Sequence, residues 1–278
     1  EIPKWNVSRV RPQGARLKTF GGRASGPAPL VELFNFTVQT FKNAQGRKLS
    51  SMECHDLMCF IGQIVVSGGV RRSAMISLSN LSDDRMRHAK SGQWWETAAH
   101  RALANNSVSY TEKPDIETFM REWTALIESK SGERGVFNRE ASKKQAAKYG
   151  RRDPNHEFGT NPCSEIILRP YQFCNLTEVV VRATDTIKDL ERKVKIATIL
   201  GTIQSSYTKF PYLRKVWQRN TEEERLLGVS LTGIMDNQLM TTENHKLAGV
   251  LDGLRNVAVD TNAEYAALLD IPQSAAIT

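Results

Sequence analysis

Much of what this 278-residue sequence is comes from what it does not contain. No stretch of about 18 or more uncharged apolar residues occurs, which argues against a membrane-spanning helix. The opening Glu1-Ile2-Pro3-Lys4-Trp5 has neither the basic region nor the apolar core of a secretory leader, so a cytoplasmic location is expected. Cysteine is scarce: Cys54, Cys59, Cys163 and Cys174 are too few for a disulfide scaffold. His55 beside Cys54 lacks the companions of a tetrahedral zinc site, so no metal is expected. No dinucleotide fingerprint, internal repeat or low-complexity tract is present.

The remainder is ordinary globular composition, with 40% hydrophobic and 24% charged residues and a length that fits one large domain or two small ones. The net charge of +8 points to polyanionic company: nucleic acid, a membrane surface or nucleotide phosphates. The cations are scattered, however, and aromatic residues do not interleave with them as a stacking groove for single strands requires.

Residues 5–11 alternate like a short strand, ended by the turn residues Pro12-Gln13-Gly14. Residues 16–27 form a loop with three cations and three glycines, whose open backbone amides suit a phosphate. Apolar spacing predicts a helix over 29–45. A second, mostly buried helix is predicted over 50–66, opened by Ser50 and Glu53 at capping-box spacing and stopped by Gly68-Gly69. Cys54 and Cys59 within it read as small core hydrophobes. A strand follows over 70–78, giving the strand, helix and strand order of a parallel sheet with crossovers.

Asn105 opens another strand, and residues 115–130 read as an amphipathic helix with Phe119, Trp123, Leu126 and Ile127 inward. A short strand at 135–138 and a polar surface segment at 139–157 come next. A β-branched strand is expected at 176–181 and a helix at 187–205. A helix beginning near Thr221 has glutamates in its first turn, 228–233 forms a strand or turn, and a long helix covers 245–269.

The chemically suggestive stretch is Gly159-Thr160-Asn161-Pro162-Cys163-Ser164-Glu165-Ile166, with a second thiol at Cys174. It sets a carboxamide, a thiol and a carboxylate within five residues. A lone Asn-Pro-Cys is ordinarily a turn with a buried thiol. Here other motifs accompany it in order: Phe20-Gly21-Gly22-Arg23-Ala24-Ser25-Gly26-Pro27, Gly69-Val70-Arg71-Arg72-Ser73, Asn105-Asn106-Ser107-Val108, Cys174-Asn175-Leu176 and Leu227-Gly228-Val229-Ser230-Leu231-Thr232-Gly233.

Together these resemble the catalytic subunit of ribonucleotide reductase, most closely the monomeric adenosylcobalamin-dependent class. The resemblance implies an α/β fold, part of a ten-stranded α/β barrel with a central finger loop. It implies reduction of ribonucleoside triphosphates or diphosphates with adenosylcobalamin, a dNTP or ATP allosteric effector and an external dithiol reductant of the thioredoxin type. In that family a cysteine thiyl radical removes the ribose 3′ hydrogen, and Cys163 matches it. Glu165 matches the carboxylate that takes the 3′-hydroxyl proton, Asn161 the amide that holds the substrate hydroxyls, and Cys174 one half of the reducing dithiol. Lys18 and Arg23 fall in the segment that contacts effector phosphates, and Ala104, Asn105, Asn106 and Ser107 in or beside the loop that relays effector identity.

The resemblance also implies gaps. The family's amino-terminal part with the partner cysteine, and its carboxy-terminal part with a phosphate-binding turn and a cysteine pair, are not matched. Residues 1–278 are therefore expected to be the central part of the barrel domain, needing complementary fragments and inactive alone. A split gene, a truncation or a protein-splicing junction at Thr278 would each produce it. The iron-dependent class and a non-catalytic basic nucleotide- or nucleic-acid-binding module are the alternatives. The short separation of Cys163 and Cys174 favours the cobalamin class.

Overall fold

The structure, a computed structural model, describes residues 4–18, 21–67, 70–71, 73–241 and 245–278. The glycine stop at 68–69, Arg72 of the expected strand, and Thr19 and Phe20 of the glycine-rich loop lie outside the described residues. The chain divides into two compact units: residues up to Glu140 with Asn161–Cys163, and Ala141–Thr160 with Ser164–Thr278.

In the first unit α1 (Ala28–Asn43) starts directly after Pro27, where a missing N–H costs the helix nothing. Helix α2 (Ser51–Ile64) opens with the expected capping box: the Ser50 hydroxyl accepts from the Glu53 amide and the Glu53 carboxylate accepts from the Ser50 amide. A short antiparallel pair, β1 (Val66–Ser67) and β2 (Val70–Arg71), leads to β3 (Met75–Ser79). After the short helices α3 (Asp84–Arg87) and α4 (Trp94–Thr97) come β4 (Ala104–Tyr110), α5 (Ile116–Ser129) and β5 (Gly135–Asn138). Strands β3, β4 and β5 form a parallel sheet in that order, joined by helical crossovers as parallel pairing demands.

Three expectations are corrected here. Residues 4–7 have no strand partner among the described residues, and the chain turns at 7–10, where the Ser8 amide donates to Asn6 Oδ1 (3.0 Å) and competes with extended pairing. Helix α2 is not mostly buried: Cys54 is exposed and only His55 and Cys59 are fully covered. Helix α5 turns the opposite way from its apolar stripe. Ile116, Phe119, Trp123 and Ile127 are exposed, and Glu122 and Ala125 face inward. The cause is electrostatic. Glu122 receives Arg134 Nη2 (2.7 Å), Arg134 Nε (2.9 Å) and Arg87 Nε (2.6 Å), and three buried charges can be satisfied only with that face inside. Burial alone would raise the Glu122 carboxyl, but the two guanidinium groups outweigh it and hold it below the carboxylate range.

Helix α6 (Arg139–Ala147) is followed in the second unit by β6 (Gly159–Thr160), β7 (Ile167–Leu168), β8 (Asn175–Val180), α7 (Ile187–Gln204), α8 (Lys215–Glu224) and β9 (Leu227–Thr232). The short α9 (Gln238–Thr241) and the long α10 (His245–Leu268) complete it. Strands β8 and β9 are parallel, and Ile277 bridges Leu227 in the same sense. Their core joins Val179 and Val181 to Leu190, Val194 and Ala197 of α7 and to Leu254 and Ala258 of α10. Each fully buried aliphatic side chain there contributes about 1.5–3 kcal/mol.

Helix α8 corrects a fourth expectation. It begins at Lys215 and ends at Glu224, so the glutamates occupy its last turn instead of its first. A carboxylate is unfavourable there. Arg152 and Arg169 offset this by pairing with Glu224 and Glu223. The architecture is α/β with parallel strands and crossover helices, and no closed barrel occurs among the described residues.

Candidate active site

Strands β6 and β7 are the two sides of an antiparallel hairpin, with Gly159 opposite Leu168 and Thr160 opposite Ile167. The Thr160 hydroxyl donates to the Ile166 carbonyl (3.0 Å) and closes its mouth. Residues 161–166, the suggestive cluster, form the loop between them. Pro162 fixes its own φ, and Ser164 takes a left-handed φ of 67°, a conformation costing a non-glycine residue about 1–2 kcal/mol. Cys163, Ser164 and Glu165 are exposed at this turn, and Asn161 and Pro162 are half-buried.

The far end of the loop is held by packing. Ile166 is buried and lies over Gly228 of β9, where an added Cβ would come within 3.1 Å of the Ile166 Cδ1 and 2.5 Å of Leu176. A side chain at 228 would force the Leu176 and Ile166 tips to move aside.

Arg152 fastens the hairpin from behind. Its Nη1 donates to the Ile167 carbonyl (2.7 Å), its Nη2 to Gln172 Oε1 (3.1 Å) and Glu224 Oε2 (2.9 Å), and its Nε to both Glu224 oxygens (3.1 Å each). The guanidinium also stacks 4.9 Å from the Phe158 ring centre. Gln172 Nε2 completes the network with a short bond to Glu224. The sequence shows Arg152 only as one of many scattered cations; its position just before the motif was the available signal.

Glu165 and Cys174 belong to the same unit. Cys174 is half-buried, and burial first, then the negative charge of Glu165, push its thiol up. A thiol so placed stays protonated at neutral pH and suits hydrogen donation better than nucleophilic attack. Glu165 also lines a cavity of about 150 Å³ together with Arg151, Arg152, Arg255 and Ile277. The Asn175 amide and side-chain Nδ2, next to Cys174, both donate to the Leu226 carbonyl (2.9 and 3.1 Å) and fix the start of β8.

In the first unit, Asn105 Nδ2 donates to the Pro162 carbonyl (2.7 Å), so the cysteine-bearing turn has a partner on β4. Ala104, Asn106 and Ser107 are buried in that strand, and Asn105 alone of the four is exposed. Lys18 and Arg23 are exposed on the glycine-rich loop; Arg23 Nη1 donates to the Gly14 carbonyl (2.9 Å) and closes the loop on itself.

The scaffold is parallel α/β, and one hairpin loop carries Asn161, Cys163 and Glu165 in sequence with a protonated thiol downstream at Cys174. The chain belongs to the ribonucleotide reductase family: its barrel-domain profile, "Ribonucleotide reductase, barrel domain", matches residues 4–245. Among curated relatives, an adenosylcobalamin-dependent ribonucleoside-triphosphate reductase of Lacticaseibacillus paracasei is 34% identical over 242 residues, 83% of this chain and 30% of that protein. Enzymes of the same name from Levilactobacillus brevis (32% identity, 88% of this chain, 32% of the relative) and Lactobacillus leichmannii (30%, 89% and 33%) are also similar. The chain spans about a third of the length of these relatives. A crystal structure of a B-12 dependent (class II) ribonucleotide reductase superposes with a TM-score of 0.74 at 25% identity, covering 98% of this chain and 40% of that one.

Among the described residues no helix is long and apolar enough to cross a membrane.

Proposed function

We propose that this chain is the central part of the catalytic barrel of an adenosylcobalamin-dependent ribonucleoside-triphosphate reductase, acting together with complementary parts of the same enzyme. The observation that carries it is the β6–β7 hairpin loop, which presents the Cys163 thiol and the Glu165 carboxylate at an exposed turn, with Cys174 held protonated by burial and by Glu165. The relatives' names support the cofactor and the triphosphate substrate.

Adenosylcobalamin, when bound, supplies the radical, and the exposure of Cys163 on a turn fits a thiol that must be reached by it. The Cys163 thiyl takes the 3′ hydrogen of the ribose and returns it at the end. Glu165 accepts the 3′-hydroxyl proton, and Asn161 hydrogen-bonds the sugar hydroxyls. The 2′ hydroxyl leaves as water; Cys174 and a partner cysteine supply two electrons and two protons and are oxidised to a disulfide. A thioredoxin-type dithiol then reduces that disulfide. Effector nucleotides act through the loop at residues 16–26 and the start of β4. All four cysteines are free, which fits the reducing cytoplasm.

The test is electron paramagnetic resonance of the reconstituted enzyme with adenosylcobalamin, a ribonucleoside triphosphate, an effector and dithiothreitol. A cob(II)alamin signal coupled to a thiyl radical, abolished by Cys163→Ser, is expected. The same signal in Cys163→Ser would overturn the assignment, and robust deoxynucleotide formation by the 278-residue chain alone would overturn the need for complementary parts.

A further inference from the structure

The start of β4 is fixed from three sides. Lys90 Nζ donates to the Ala104 carbonyl (2.5 Å) and pairs with Glu133 (2.9 Å). Glu133 Oε2 accepts from the Asn106 backbone amide (2.7 Å). The buried side chain of His55, on α2, meets Asn106 Oδ1 through Nε2 (3.0 Å). These three contacts clamp the residues on either side of Asn105 and leave its own side chain on the other face of the strand, because successive side chains of a strand alternate. That side chain is exposed, and its Nδ2 donates to the Pro162 carbonyl, one residue before Cys163 (2.7 Å).

Pro162 is suited to be the receiving point. It carries no N–H of its own, its φ is fixed by the ring, and its carbonyl belongs to the peptide unit that begins Cys163. A hydrogen bond to this oxygen restrains the orientation of the very peptide plane from which the thiol projects. Across the turn, Ser164 is in the left-handed region, so the loop is strained and gains from an external restraint.

We propose that Asn105 is a positioning residue that latches the Cys163 turn to β4, rather than a direct contact to nucleotide. Its purpose rests on the radical role given to Cys163 above; its existence does not. The clamp of Lys90, Glu133 and His55 holds the β4 end of the latch in place, so the amide acts as a fixed post for the strained turn.

The test uses hydrogen–deuterium exchange of the 278-residue chain, read at the peptide 159–168, which carries the turn and the β6–β7 pairing that protects its ends. Asn105→Asp, which is isosteric but cannot donate from its carboxylate, and Asn105→Ala should each speed exchange about fivefold, the effect of losing one neutral hydrogen bond on a local equilibrium. Asn105→Gln, which keeps the donor, should fall between them and the parent chain. The position is exposed, so none of the three threatens the fold. Alkylation of the buried Cys59 on α2 should be unchanged and serves as the control for global loosening. In the reconstituted reductase, Asn105→Ala should lower kcat with the KM for ribonucleotide unchanged. Loop exchange unaltered in both Asn105→Asp and Asn105→Ala overturns the latch, and so does a raised KM at constant kcat, which would make Asn105 a nucleotide ligand. Turnover that survives Cys163→Ser overturns the radical reading instead and leaves the exchange result standing.

Discussion

Replacing Arg152 tests how the β6–β7 hairpin is held. In Arg152→Met the side-chain volume is roughly kept, but the guanidinium's bonds to Glu224, Gln172 and Ile167 disappear together. The Glu224 side chain, only 6% exposed, would then keep a buried charge with the Gln172 amide as its remaining close donor and Arg169 Nε at 4.0 Å. Breaking a buried pair by removing one partner costs about 3–5 kcal/mol. The orphaned Ile167 carbonyl adds about 1 kcal/mol. Arg169 reclaims part of this, so a net loss of about 3 kcal/mol in the second unit is expected. The double variant Arg152→Met/Glu224→Met removes both charges, and well-packed apolar replacements of buried pairs are often close to neutral. Most of the loss should therefore return, with about 1 kcal/mol remaining at Ile167. Urea unfolding followed by hydrogen exchange of peptides from 159–180 and 215–232 reads both numbers without assuming that the two units unfold together. A single-variant loss below about 1 kcal/mol, or a double variant less stable than Arg152→Met, would refute the argument that Arg152 is retained to neutralise Glu224.

His55 gives a pH dependence in the first unit. Burial would lower its pKa, but bonding to Asp56, Cys59 and Asn106 prevails and raises it to about 9. A raised folded-state pKa means that the stabilisation is complete below about 6.5, the ordinary value, and is lost as pH rises toward 9. NMR titration should place the imidazole midpoint above 8, and protection of α2 and β4 amides should fall over the same interval in the parent but not in His55→Gln. Cys174 offers a kinetic check in the second unit. At pH 8 it should alkylate several-fold more slowly than the exposed Cys54, and Glu165→Gln should shorten the gap by removing the repelling charge; an unchanged Cys174 rate would show that the carboxylate does not act on the thiol.

The elements that the sequence makes legible are those whose signals are local. The capping box at Ser50 and Glu53 needs only four residues, and α2 starts where it predicts. The parallel strands β4, β8 and β9 announce themselves through β-branched and small residues bounded by turns, and their crossovers follow from chain order. Asn161, Cys163 and Glu165 stand out because three reactive side-chain types crowd five positions. What local signals cannot show is which distant charge an element meets. Helix α5 has a clear apolar stripe, yet Arg87 and Arg134, 35 and 12 residues from Glu122, decide which face turns inward. The glutamates near Thr221 look like the start of a helix by dipole logic, and only Arg152, 72 residues away from Glu224, explains why they can end one.

The same long-range pairing changes the meaning of the net charge. A total of +8 suggests polyanion binding when every cation is assumed to face water. Arg87, Lys90, Arg134, Arg152 and Arg169 are all buried and engaged with carboxylates of the chain itself. Those five are neutralised internally and add nothing to an external field, although their acidic partners are also withdrawn from the surface. The surface excess is thus left in groups such as Lys18 and Arg23 on the glycine-rich loop, and in Arg151 and Arg255 beside the Glu165 cavity. Arg151 loses proton affinity through burial and through the nearby charge of Arg255. Composition therefore gives the size of the excess, and the fold shows which cations are engaged internally and which carry that excess.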